Sequence, residues 1–244
     1  ANLCTITKTV TITEPTALTA TTTQTNVACN AGATGSATVT AAGGTGAYTY
    51  SWAPSGGSAA TASNLAAGTY TVTIKDANLC TLTKTVTITE SSTLTATTSQ
   101  TNVACNAGTT GSATVTVAGG TPGYTYSWAP SGGSAATASN LAAGTYTVTI
   151  KDANLCTLIK TVTITEPTAL TATTTQTNVA CNAGTTGSAT VTPAGGTGAY
   201  TYSWAPSGGS AATASNLAAG TYTVTIKDAN LCTITKTVTI TEPT

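Results

Sequence analysis

The chain repeats itself every 76 residues. Asn-Leu-Cys recurs at Cys4, Cys80, Cys156 and Cys232, and Asn-Val-Ala-Cys recurs at Cys29, Cys105 and Cys181. Trp52, Trp128 and Trp204 keep the same step. Self-similarity at a fixed period marks an array in which each period is one structural unit. The expected units are residues 17–92, 93–168 and 169–244, with residues 1–16 as the terminal strand of a preceding repeat. Residues 1–16 and 229–244 are the same string, ANLCTITKTVTITEPT, so the sequence reads as a cut from a longer array. Near-identical neighbours invite swapping and co-aggregation. That cost is tolerable mainly where length is itself useful, which points to a spacer or fibre.

Composition removes several functional classes. Seven lysines balance seven acids, and arginine, histidine, methionine and phenylalanine are missing from the sequence. Without histidine there is no Ser-His-Asp or Cys-His dyad and no His-bearing metal site. Without a basic stripe there is little to neutralise phosphates, so nucleic acid is not an expected partner. No nucleophile has a base near it in sequence and no carboxylates are paired, so we expect no enzyme and no cofactor. No stretch reads as a signal peptide or membrane span.

Threonine supplies 66 residues and sets the local pattern. In Tyr48-Thr-Tyr50-Ser-Trp52 the rings share one parity and the hydroxyls the other. Thr69–Ile74, Ser36–Thr40 and Thr81–Thr89 alternate in the same way. One apolar and one hydroxyl face per strand describes half-buried antiparallel strands, as in a β-sandwich. Glycine, proline and asparagine clusters at 43–46, 54–57 and 76–78 supply the turns. We expect six or seven strands and no helix in each unit. Lys84 breaks the parity, which suits an edge strand or bulge; an isopeptide bond from it, with Glu90 as helper, is a lesser alternative.

The ordered set Gly35–Val39, Gly43-Gly44-Thr45, Tyr48–Trp52, Leu65–Val72 and Asp76–Cys80 resembles the SprB repeat. That family occurs in very large cell-surface adhesins of gliding Bacteroidota exported by type IX secretion. The resemblance covers most of each unit, but Leu79 stands where the family usually has glycine before the cysteine. It implies an all-β tandem array of three Ig-like sandwiches, extracellular and part of an adhesin filament. Leu65–Tyr70 also resembles the tyrosine corner of Ig-like domains. Trp52, Tyr70, Trp128, Tyr146, Trp204 and Tyr222 are therefore expected as core aromatics, with a sugar-stacking role as the alternative.

The cysteines are the expected staples, since a 76-residue sandwich has a thin core. Close cysteine pairs of the kind that hold zinc are missing from the sequence. The simplest pairing lies within units: Cys29–Cys80, Cys105–Cys156 and Cys181–Cys232, leaving Cys4 over. Seven-stranded Ig topology would instead put the two cysteines of a unit at opposite ends, predicting Cys29–Cys156 and Cys105–Cys232. Residues 53–67 have room for one ordinary strand or two very short ones; a single strand would return both cysteines to one end and favours the first pairing.

The expected function is a stalk or filament segment of a secreted adhesin that transmits load in adhesion or gliding. Its partners would be neighbouring repeats, with identical chains and surface glycans as further candidates. The alternative is an array of glycan- or surface-polymer-binding modules, exposing threonine or tyrosine faces. Asp76 and Asn78 offer too few oxygens for a calcium site. Ice binding by threonine rows is disfavoured because sandwich sheets twist.

Overall fold

The computed structural model describes residues 3–244. Among these residues there is no helix; strands of five to eight residues follow the alternation. The first repeat contains β1 (Thr19–Thr25), β2 (Gly35–Ala42), β3 (Thr49–Ala53), β4 (Thr61–Leu65), β5 (Gly68–Lys75) and β6 (Thr81–Ile88). The second contains β7 (Thr95–Thr101), β8 (Gly111–Ala118), β9 (Thr125–Ala129), β10 (Thr137–Leu141), β11 (Gly144–Lys151) and β12 (Thr157–Ile164). The third contains β13 (Thr171–Thr177), β14 (Gly187–Ala194), β15 (Thr201–Ala205), β16 (Thr213–Leu217), β17 (Gly220–Lys227) and β18 (Thr233–Ile240).

Each repeat forms two three-stranded antiparallel sheets, β1-β2-β4 and β3-β5-β6 in the first, and their equivalents in the others. The inward parity of each sheet builds a separate core. In the first repeat Val39, Trp52, Leu65, Tyr70, Val72, Ile74, Val86 and Ile88 are buried, with threonines outward. The same positions form the second and third cores. The fold is an all-β tandem array of Ig-like sandwiches. By contact the chain divides into two compact units, Ala1–Thr95 with Ala118–Gly123 and Asp152–Cys156, and Ala96–Val117 with Tyr124–Lys151 and Thr157–Thr244.

Strand pairing fixes the ends of a repeat. Gly35 lies beside Leu65, and Gly68 beside Ile88, so the β1–β2 loop, the β4–β5 turn and the end of β6 share one end. A parallel bridge between Val27 and Glu90 closes the same end. Lys75 pairs with both Thr49 and Thr81, which puts the β5–β6 turn at the opposite end beside the β2–β3 loop. Cys29 therefore sits at one end and Cys80 at the other. An eight-residue strand separates them by roughly 25 Å, against a Cα separation of about 4.4–6.8 Å in a disulfide.

This corrects the pairing within repeats, and the reason is local. Residues 53–67 do contain a single strand, β4, but the segment before it folds back along the sandwich without being one. Trp52 donates its amide to Gly57 O at 3.0 Å and its indole Nε1 to Ala59 O at 3.0 Å. Gly56 and Gly57 take φ of +127° and +80°, and a Cβ at Gly56 would lie 2.8 Å from that of Ala62. An irregular return reverses the chain as a strand would. Counting strands alone therefore gave β5 the wrong direction.

Candidate functional site, a cross-repeat disulfide joint

The functional feature of this chain is a joint that occurs twice, once inside each compact unit. It has three parts: the loop between the first two strands of a repeat, the linker leaving that repeat, and the Asp-Ala-Asn-Leu-Cys turn of the following repeat.

The loop is built by its own short-range bonds. Gly32 donates to Cys29 O at 3.0 Å and Ala28 N to Thr34 Oγ1 at 2.9 Å. Val27 N bonds Thr89 O and Thr89 N bonds Asn26 Oδ1, which clamps the loop to the end of β6. Ala31 adopts φ +59°, turning its amide outward to Glu90 Oε2 at 2.6 Å. A carboxylate accepting a backbone N–H makes a charge-assisted bond, stronger than a neutral one. Asn30 donates to Ser91 O at 3.2 Å and accepts from Thr93 Oγ1 at 2.8 Å. In the second repeat Glu166 accepts from Ala107 N at 2.6 Å, and Asn106 bonds both Glu166 and Pro167 O.

The opposing turn is organised around a buried aspartate. Asp76 accepts the amides of Thr45, Asn78 and Cys80 at 2.9, 2.9 and 2.8 Å. The Thr45 amide is the largest influence holding the Asp76 carboxyl below its ordinary pKa; burial opposes it and the Cys80 and Asn78 amides reinforce it. Asp228 is lowered in the same way, led by Thr197 N–H. Both carboxylate oxygens of Asp76 are thus engaged in shaping a turn. Asp152 accepts the corresponding amides of Thr121, Asn154 and Cys156. Among the described residues no group of three or more histidine, cysteine or acidic side chains is gathered for a metal.

Leu79, Leu155 and Leu231 occupy the fourth position of this turn with φ of +67°, +65° and +66°. A branched residue there is strained where glycine would not be. The departure from the glycine usual in SprB repeats thus falls at the position that calls for glycine.

Loop and turn meet through sulfur. Cys29 bonds Cys156 and Cys105 bonds Cys232, each with a Cα separation of 5.6 Å and a sequence separation of 127. Beside each bond the turn asparagine reaches the loop: Asn154 Nδ2 donates to Ala28 O and Asn230 Nδ2 to Ala104 O, both at 2.9 Å. These asparagines also bond Thr121 Oγ1 and Thr197 Oγ1. A cavity of about 240 Å³ lies against the second bond, lined by Cys105, Asn106, Leu170, Cys232 and Ile234 among others.

Cys4, Cys80 and Cys181 are exposed thiols. Trp52, Trp128 and Trp204 and Tyr70, Tyr146 and Tyr222 are buried, at 5–6 % exposure. The hydroxyl of Tyr70 donates back to Ala66 O at 3.1 Å, and Tyr146 and Tyr222 make the same bond. Lys84 is half-buried on the edge strand β6, opposite Val72. The joint glutamates and asparagines were the residues that sequence reasoning left without this role. Their recurrence was visible, but in an array everything recurs, so repetition did not separate them from solvated turn residues.

The SprB repeat model matches at residues 21–57, 97–133 and 173–209, from the first strand of each unit to the turn after the third. The chain carries three SprB repeats. No curated protein matches the chain. Among solved structures, the chain is similar to extracellular domains 3–5 of Drosophila OTK at 12% identity and TM-score 0.33, over 82% of this chain and 87% of that one. The N-terminal eight Ig domains of Down Syndrome Cell Adhesion Molecule match at 10% identity and TM-score 0.39, over 95% of this chain and 45% of theirs. Domains 1–6 of the surface layer protein SbsC match at 16% identity and TM-score 0.29, over 81% and 35%. No helix among the described residues is long and apolar enough to cross a membrane.

Proposed function

We propose that this SprB-repeat region is a mechanical spacer of an extracellular cell-surface adhesin, transmitting tension along the chain in attachment or gliding. Residues 17–92, 93–168 and 169–244 act as its repeating elements. The observation that carries the reading is the stagger of the disulfides: each joins one repeat to the next rather than closing a repeat on itself. A bond across 127 residues lowers unfolded-chain entropy by an equivalent of roughly 5 kcal/mol. More to the point, force entering at one end passes through Cys29–Cys156 and Cys105–Cys232 and bypasses much of the backbone. Disulfides also belong to an oxidising compartment, which supports export. The buried aromatics favour this reading over glycan stacking, because their rings are consumed in the cores.

Two measurements test it. Stretched to its limit, the oxidised chain extends over roughly 90 residues, about 320 Å, and the reduced chain about 850 Å, at about 3.5 Å per residue. Equal extensions would remove the load path. In cells that produce the protein, replacing Cys29 and Cys105 by serine should leave static attachment intact and weaken attachment under flow. Loss of static attachment together with glycan-array binding by the isolated repeats would favour a recognition module instead.

A further inference from the structure

Both halves of each joint are shaped by bonds inside their own repeat. On the turn side, Asn154 Nδ2 is held on Thr121 Oγ1 at 2.9 Å, and the amides of Asn154 and Cys156 both donate to Asp152 Oδ1 at 2.9 Å. Thr197 and Asp228 fix Asn230 and Cys232 in the same way. On the loop side, Ala28 N bonds Thr34 Oγ1 and Gly32 N bonds Cys29 O; Ala104 N bonds Thr110 Oγ1 and Gly108 N bonds Cys105 O. The linker is tied to both. Glu90 and Ser91 hold the loop, and Ser92 O accepts from Gly120 N at 2.9 Å, as Thr168 O does from Gly196 N. Beside sulfur, turn and loop are joined by Asn154 Nδ2 on Ala28 O in the first joint and by Asn230 Nδ2 on Ala104 O in the second. The same two carbonyls lie 3.4 Å from Cys156 Sγ and Cys232 Sγ.

We infer that Asn154 and Asn230 are positioning residues for disulfide formation: they seat the turn on the loop before oxidation, so that Cys29 meets Cys156 and Cys105 meets Cys232. Ala28 and Ala104 immediately precede the loop cysteines, and the asparagines stand two residues before the turn cysteines. The carboxamide bond therefore closes beside the atoms that must meet. In the dithiol the Cys156 S–H, a weak donor, has Ala28 O within reach as an acceptor. The cavity of about 240 Å³ lined by both Cys105 and Cys232 leaves the second sulfur pair open to a small oxidant. With oxidised glutathione, one cysteine thiolate attacks and expels a glutathione thiolate; its partner then attacks the mixed disulfide and expels the second. Two protein thiols become one disulfide, and their protons end on two reduced glutathiones. By linkage, the factor by which the carboxamide favours the seated joint reappears in the equilibrium constant of the disulfide.

The inference rests on the geometry of the joints and stands whether or not the array carries tension. The test uses the full chain with Cys4→Ser, Cys80→Ser and Cys181→Ser, equilibrated in a glutathione redox buffer and quenched with acid. Peptide mapping then reads the oxidised fraction of each joint separately. Asn154→Ala should lower the equilibrium constant for Cys29–Cys156 about fivefold, the effect of one net hydrogen bond, and leave Cys105–Cys232 unchanged. Asn230→Ala should do the reverse. Asn154→Asp separates seating from turn shape: its carboxylate still accepts from the Thr121 hydroxyl but offers Ala28 O no proton. It should lose at least as much as Asn154→Ala while the Asp152 amide, bonded to Cys156 O, stays protected from exchange. An Asn154→Asp chain that oxidises its first joint like the parent would overturn the inference. So would equal losses at both joints from one substitution, no loss at either, or losses that appear only where the Asp152 amide also loses its protection.

Discussion

Residues 5–12 and 233–240 are the same eight residues with different structures. At the C-terminal end they form β18, paired along its whole length with β17, with Val238 and Ile240 4% and 1% exposed. At the N-terminal end they form no strand, and Val10 and Ile12 are 81% and 92% exposed. Alternating threonine and β-branched residues make a good edge strand, but β-propensity is largely a statement about packing against neighbours. One copy has a β17 to pair with and a core to cover. The other has neither among the described residues, and the sequence does not fold it alone.

The largest expected effect is on burial. Ile240→Ala should destabilise the third repeat by about 2–5 kcal/mol, since it deletes a fully buried side chain, whereas Ile12→Ala should change stability by less than about 0.5 kcal/mol. Exchange of the Val224 and Ile226 amides reports both; equal effects would mean the two strings share one environment. Next comes acid. Asp228 has a lowered folded pKa, so its contribution is complete above the ordinary carboxylate range, near pH 4, and is lost as pH falls through the folded value. Stability should be flat in this respect from about pH 5 to 8 and fall below about pH 4, with part of that fall removed by Asp228→Asn. An unchanged acid limb would contradict the turn scaffold described for the third repeat.

Smaller effects sharpen the same contrast. Leu231→Gly should stabilise by about 1 kcal/mol by relieving its left-handed backbone, because Leu231 is 74% exposed and loses little packing. Leu3→Gly, at the same place in the N-terminal string, should do nothing measurable by thermal unfolding. Ser91 stands where the other linkers carry Pro15, Pro167 and Pro243, and its buried hydroxyl has no hydrogen-bond partner. Ser91→Pro should add about 0.5–1 kcal/mol; a loss would show that the serine linker has its own geometry.

Much of the fold was legible because its determinants are local or periodic. Alternation at Tyr48–Trp52 and Thr69–Ile74 marks the strands, and the 76-residue step marks the repeats. The joint was legible only in part. Cys29 and Cys156 announce bonding capacity, but their partnership depends on which way β5 runs. That direction is set by residues 54–60, whose return path has no periodic signature. The positive φ at Ala31 was equally hidden, since alanine does not favour it, whereas at Leu79 the glycine usual in SprB repeats was the one pointer to it.

Non-reducing tryptic mapping tests the central claim most directly. Cleavage after lysine releases residues 9–75 with Cys29, 76–84 with Cys80 and 152–160 with Cys156, and the last two differ in mass through Thr83 and Ile159. The staggered joint predicts that 9–75 is recovered bonded to 152–160, and 85–151 to 228–236. Recovery of 9–75 bonded to 76–84 would contradict it.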